Sequence, residues 1–193
     1  MDQHRMMHMG WGRFAAMIAT STVIMFFLMY QLVYGWDHAL FSLTRLVSSL
    51  VMACVMTAVM LAFMWRMYQP QVAKLAVLAL AILGGVALLL VNRSQALVGD
   101  TTFMQAMIPH HSIAINNARR ADIRDPRVRY LADRITRDQV KEIAEMKLLL
   151  ADIAQHGRRG DAPLAAGPAT LTAEGASEAR DLVSGKLLED EPL

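Results

Sequence analysis

"LVSSLVMACVMTAVMLAFMW", residues Leu46 to Trp65, runs for 20 residues without Asp, Glu, Lys or Arg. A helix rises ~1.5 Å per residue, so about 20 mostly apolar residues cross the hydrocarbon of a bilayer. There is no water in that layer to pair with the backbone, and a helix satisfies its own hydrogen bonds. Two further charge-free stretches flank this one: 23 residues from Phe14 to Trp36 and 18 from Leu75 to Asn92. The whole chain is 55% apolar and 19% charged, against ~25% charged for an average soluble domain. The sequence predicts an all-α protein whose residues 14–92 form three transmembrane helices, spanning 14–36, 46–65 and 75–92, with lipid as their first partner.

Aromatic residues mark the edges of these spans, as membrane interfaces favour. Trp11 precedes the first, Tyr30, Tyr34 and Trp36 close it, and Trp65 and Tyr68 follow the second. The first span is too long for a cleaved signal sequence and no small-residue cleavage site follows it, so it is expected to be retained. Arg5, Arg13, Arg66 and Lys74 lie on one side of the membrane, Arg45 and Arg93 on the other. The excess of cationic residues predicts a cytoplasmic N-terminus, with residues 94–193 on the far side. A net charge of +2 without a basic, aromatic stripe argues against nucleic acid. Cys54 is alone and inside the second span, so no intrachain disulfide forms. On the third span, Ala81 and Gly85 form a small-xxx-small pair that permits close helix packing.

Residues 1–13 form a Met- and His-rich segment, and a second region begins near Asp100. There "FMQAMIPHHSIAINNARRA", Phe103 to Ala121, reads as a helix capped by Asp100 or Thr101 and running to about Asp122. Asp125 and Pro126 supply a cap and a first-turn proline for a second helix that ends near Gln155, before Gly157. Residues 100–155 are thus predicted to be a helical hairpin. Residues 156–193, rich in Gly, Ala and Pro, are expected to be a mostly disordered tail with a transient helix near 176–188.

The second helix carries Val128, Leu131, Ile135, Gln139, Glu142, Met146, Leu149 and Ile153 at spacings of three and four, one continuous seam. Gln139 and Glu142 are polar intruders at its middle, costly to bury unless paired. On the first helix Met104, Met107, Ile108, His111 and Ile115 share a face, with His110 at its edge; Pro109 either kinks the helix or starts it. An antiparallel hairpin brings Met104, Met107, His110 and His111 towards Met146, with Gln139 and Glu142 as neighbours or alternative ligands. Thioether and neutral imidazole are soft, uncharged donors that suit Cu(I), whereas Mg²⁺ and Ca²⁺ take oxygen. Adjacent histidines point about 100° apart on a helix, so one serves as ligand and the other as a hydrogen-bonding neighbour, with Glu142 a natural partner.

The pattern Met-x-x-Met-x-x-His-His followed by Gln-x-x-Glu-Ile-x-x-Met resembles the domain-of-unknown-function family 305. Met104, Met107, His110, His111, Gln139, Glu142, Ile143 and Met146 all match it over residues 100 to 155, and the three-span N-terminus resembles its membrane-anchored members. The resemblance implies a ferritin-like helical fold. Some soluble members are periplasmic proteins that bind copper or silver, which implies residence in a bacterial inner membrane, Cu(I) as the bound ion and a copper-handling protein as partner. Those members repeat the helical pair, and this chain has one copy; Asn116 stands where the family usually has Met. A single hairpin cannot close a core, so a homodimer through residues 100–155 is expected to complete a four-helix bundle.

Plainer readings stand beside these. Met is a gap filler in ordinary cores, and Met52, Met56, Met60 and Met64, four apart on the second span, read as a helix interface. His4, Met6, Met7, His8 and Met9 read as an unstructured end with soft donors. A membrane-tethered dimerisation module without metal is the alternative function. A di-iron oxidase needs several inward carboxylates and Glu-x-x-His pairs; the soluble helices contain no such pair, so no enzyme is expected.

Overall fold

The computed structural model describes residues 10–187. Among them there are α-helices and short 3₁₀ turns and no strand. The helices are α1 (Trp11–Leu28), α2 (Leu43–Phe63), α3 (Gln71–Ser94), α4 (Asp100–Arg120), α5 (Pro126–His156) and α6 (Ala173–Ser184). The described residues fall into two compact units: residues 10–31 with 39–106, and residues 32–38 with 107–187. The division falls inside α4, close to Pro109. Pro109 sits within one continuous helix and does not start it, at the cost of one backbone donor.

In the first unit, α1, α2 and α3 are each long and apolar enough to cross a membrane. Their outward faces are apolar: Phe63 is 90% exposed, and Phe27, Leu80, Leu83 and Leu90 are all largely exposed. A surface of that kind is stable in lipid and would aggregate in water. The spans sit a few residues from their predicted bounds, and α1 ends at Leu28 rather than Trp36. The cause is distant in sequence: an Arg45 guanidinium nitrogen donates to the Met29 carbonyl, and the guanidinium lies 4.4 Å from the centre of the Tyr30 ring. The Tyr30 hydroxyl in turn accepts the Ser42 amide at 3.0 Å, tying the end of α1 to the start of α2.

The opposite end of these spans is held by aromatic packing. Trp11, Phe14 and Tyr68 stack with ring centres 5.0–6.1 Å apart, and Trp11 Nε1 donates to the Gln69 carbonyl at 2.8 Å. Met17, Met60 and Met64 pack around Phe14, Leu61 and Tyr68. Lys74 is buried there, donating to the Trp65 carbonyl at 3.1 Å with its ammonium over the indole. An apolar groove of about 770 Å³ runs along α1 and α2. The Thr22, Ser49 and Thr57 hydroxyls that line it donate to carbonyls of their own helices.

Between α2 and α3 the approach is close: a Cβ placed on Gly85 would lie 3.1 Å from Cys54 Cβ. Gly85→Leu is expected to separate the two helices and destabilise the bundle by about 1–3 kcal/mol, the usual cost of overpacking. Its unfolding in detergent, followed by circular dichroism against added denaturing detergent, should shift clearly; an unchanged midpoint would show that Gly85 is not a contact point.

In the second unit, the 107–120 part of α4 and α5 form an antiparallel hairpin. Arg129 donates to the Ala118 carbonyl at 2.9 Å near the turn, and His111 meets Glu142 at 2.7 Å further along. Asp125 caps α5 by accepting the Arg127 amide at 2.9 Å, with Pro126 at the first helical position. The Arg127 guanidinium, followed by its amide, holds the Asp125 carboxyl down at about 2. Because the folded value is depressed, this cap contributes fully above the ordinary 3.8 and is lost as pH falls through about 2. Asp125→Ala is therefore expected to lower the melting temperature at pH 6 and to leave it unchanged at pH 1.5, as read by circular dichroism.

The core of this hairpin is Ile108, Ile115, Ala132, Ile143 and Met146. Of the predicted seam on α5 only Met146 is buried, and the buried face instead takes in Ala132 and Ile143, which the seam did not include. Val128, Ile135 and Leu149 are 49%, 39% and 51% exposed. Residues four apart on a helix differ by about 40°, so so long a run of threes and fours is wider than one neighbouring helix covers. The segment read as a tail carries α6, capped by Thr172 through the Gly175 amide and joined to α5 by Arg127 donating to the Val183 carbonyl at 2.9 Å.

Candidate functional site

The His111–Glu142 pair fixes the register of the hairpin. One turn along each helix in the same direction stand Met107 on α4 and Met146 on α5, since four residues make slightly more than one turn. Met146 is buried and Met107 partly so. Imidazole, carboxylate and two thioether positions are therefore grouped on facing stretches of α4 and α5.

Glu142 is 47% exposed and accepts from His111 Nε2 at 2.7 Å and from Gln139 Nε2 at 3.3 Å. With Nε2 carrying the proton, His111 Nδ1 bears a bare lone pair, and that atom is buried without a hydrogen-bond partner. Gln139 Oε1 is likewise buried and unpaired. Two acceptor atoms with nothing donating to them cost free energy in a packed interior. A cation or a donor reaching either atom removes its share of that cost.

Of the predicted residues, Glu142 is in contact with His111 and with Gln139, and Met107 and Met146 stand one helical turn along from His111 and Glu142 respectively. His110 is exposed, its ring 5.7 Å from that of His111 and turned by 65°, as neighbouring positions on a helix require. Met104 is buried in the first unit. His4, Met6, Met7, His8 and Met9 lie outside the described residues. Among the described residues no group of three or more His, Cys, Asp or Glu is placed to hold a metal.

A second polar cluster, missed in the sequence, lies in the same unit. Ser112, next to His111, is fully buried. Its Oγ accepts the Tyr34 amide at 2.8 Å and lies 3.0 Å from His38 Nδ1. Since that oxygen already accepts from Tyr34, its own proton is free to point to His38 Nδ1, the acceptor of a neutral imidazole. His38 Nε2 faces Asp37 at 3.4 Å, and Asp37 accepts from Lys147 Nζ on α5 at 2.6 Å. Arg119 lies 5.4 Å over the Tyr34 ring. No local signal marked residues 32–38; the one available was that a third crossing returns the chain to the side of the first loop.

Burial, then the Lys147 charge, pushes His38 below its ordinary 6.5. The hydrogen bond from Lys147 holds Asp37 below 3.8. Docking of 32–38 is thus strongest above pH 6.5 and weakens as pH falls below that value and through the lowered His38 pKa. The Asp37–Lys147 link persists until pH falls below 3.8. Exchange of the 32–38 amides, corrected for intrinsic rate, should accelerate from pH 7 to pH 5; a flat profile would remove His38 from the docking.

Residues 100–185 match the family model described as domain of unknown function (DUF305). The match continues past α5 to the end of α6. The chain is also similar to the uncharacterized protein L153 of Acanthamoeba polyphaga mimivirus, 42% identical over 60 residues, covering 30% of this chain and 40% of that one. No solved structure matches the chain.

Proposed function

We propose that this chain is a multi-pass membrane protein whose α4–α5 hairpin binds a soft monovalent ion, Cu(I) or Ag(I), for sequestration, sensing or hand-over. The observation that carries the reading is the buried, unpartnered Nδ1 of His111, with Met107 one turn away on α4 and Met146 one turn from Glu142 on α5. Its Nε2–H is already committed to Glu142, the arrangement in which a carboxylate fixes the tautomer of a ligating histidine and raises its basicity. His111, Met107 and Met146 would hold the ion, with Gln139 and Glu142 as neighbours or alternative ligands. A soft ion bound there supplies no bond-making chemistry in this reading, and no enzymatic step is assigned.

The cationic residues favour a cytoplasmic N-terminus with residues 94–193 on the far side of the membrane, and the resemblance to periplasmic family members favours a bacterial inner membrane. The packing of 32–38 within the second unit supports placing the first loop and residues 100–185 on one side, as three crossings require. A homodimer through α5 is part of the same reading, and a copper-handling protein is the expected exchange partner.

Anaerobic titration of the detergent-solubilised protein with Cu(I) against a chromophoric chelator tests this. Tight binding lost in Met107→Ala/His111→Ala supports the site; no competition by the wild type removes it. The exposed stripe of Val128, Ile135 and Leu149 favours a second reading, a dimerisation module without metal. In that case the same double variant alters dimer stability while copper affinity is absent throughout.

A further inference from the structure

Residues 32–38 touch both helices of the hairpin, and they do so at two telling positions. Ser112 on α4 is the residue after His111, and Lys147 on α5 is the residue after Met146. The segment therefore bridges α4 and α5 at the level of the proposed donors. In the chain it is the middle of the short link between α1 and α2.

Ser112 is specialised for this. Inside helices, hydroxyls commonly turn back to the carbonyl four residues earlier, and Thr22, Thr57 and Thr136 do so here. Ser112 Oγ instead takes the Tyr34 amide and faces His38 Nδ1, while fully buried. A hydroxyl whose partners come from 74 and 78 residues away is a receptor for that segment, not a local helix contact. Lys147 reaches 110 residues to Asp37.

We propose that residues 32–38, the middle of the link between α1 and α2, form a strap across the α4–α5 site that docks more firmly when a soft ion is bound. This rests on the metal reading above. An ion joining His111 to Met146 restrains the two helices against each other, and the anchors one residue on then hold a steadier spacing. The strap loses less freedom by docking on helices already restrained. Linkage makes the effect reciprocal: a docked strap strengthens ion binding by the factor by which the ion strengthens docking.

The test is hydrogen exchange of residues 32–38 in the full-length protein in detergent, with and without Ag(I), a redox-inert probe. Ag(I) affinity is measured separately by competition. In the metal-free wild type the Tyr34 amide should be protected, and Ser112→Ala should speed its exchange about tenfold. Saturating Ag(I) should slow exchange of 32–38 in the wild type by roughly three- to tenfold. Ser112→Ala and, on the strap itself, Asp37→Ala should each weaken Ag(I) binding by a similar factor. Neither residue is a soft donor, so lost affinity is not a lost ligand, and Asp37→Ala leaves α4 and α5 unaltered should Ser112→Ala fold poorly. An unprotected Tyr34 amide overturns the strap. Tight Ag(I) binding with unchanged exchange overturns the coupling while leaving the site. A protected strap with no Ag(I) binding sinks the site, and the coupling with it.

Discussion

Replacing His111 by alanine is expected to weaken Cu(I) or Ag(I) binding by more than about 100-fold, beyond the roughly 10–100-fold that an outer hydrogen-bonding partner contributes. The argument is one of atoms. Nδ1 of His111 is the buried lone pair with no partner, and alanine removes it together with the Nε2–H that holds Glu142. Glu142→Gln separates the two roles. Glutamine keeps the length and an acceptor oxygen but loses the charge that raises imidazole basicity, so an intermediate loss of about 10–100-fold is expected. His110→Ala should change affinity little, since that ring is turned to solvent. Equal losses at His110 and His111 would mean that the donors are not those of the folded hairpin. Anaerobic competition titrations of the three variants decide the matter.

Much of this was legible in residues whose environment is set nearby. The absence of charge over Leu46–Trp65 is enough to place a span, because the cost of a charge in hydrocarbon is paid wherever the segment lies. Asp125 and Pro126 announce the start of α5 because a cap is a local device. The pairing of an imidazole with Glu142 followed from a polar residue stranded on an apolar seam. The end of α1 was not legible, since it depends on Arg45 reaching back to the Met29 carbonyl. Nor was the strap: Tyr34 contributes a backbone amide, which every residue but proline possesses. The buried face of α5 was misplaced because spacing of three and four fixes a stripe without saying which edge a neighbour covers. Only the antiparallel contacts of α4 divide Ala132 and Met146 from Ile135 and Leu149.

That uncovered edge carries the second large effect: Ile135→Glu/Leu149→Glu is expected to convert a dimer into a monomer. Val128, Ile135, Glu142 and Leu149 recur every seven residues, the period by which two helices wrap around each other. The occupant proposed is the same stripe of a second copy, and charge sets its direction. Parallel pairing would set Glu142 against Glu142. Antiparallel pairing sets it near Ile135 and brings the half of α5 with Arg127 and Arg134 towards the half with Glu145 and Asp152. Two glutamates per chain on this stripe would be buried without partners, a cost that dimerisation through one helix face does not offset. Analytical ultracentrifugation in density-matched detergent should show the wild type at twice the chain mass and the double variant at one. Because the donors lie within a single hairpin, the monomeric variant should keep its Cu(I) affinity to within a few-fold. If it loses that affinity, the site is completed across the dimer; if the wild type is itself monomeric, the stripe faces another protein.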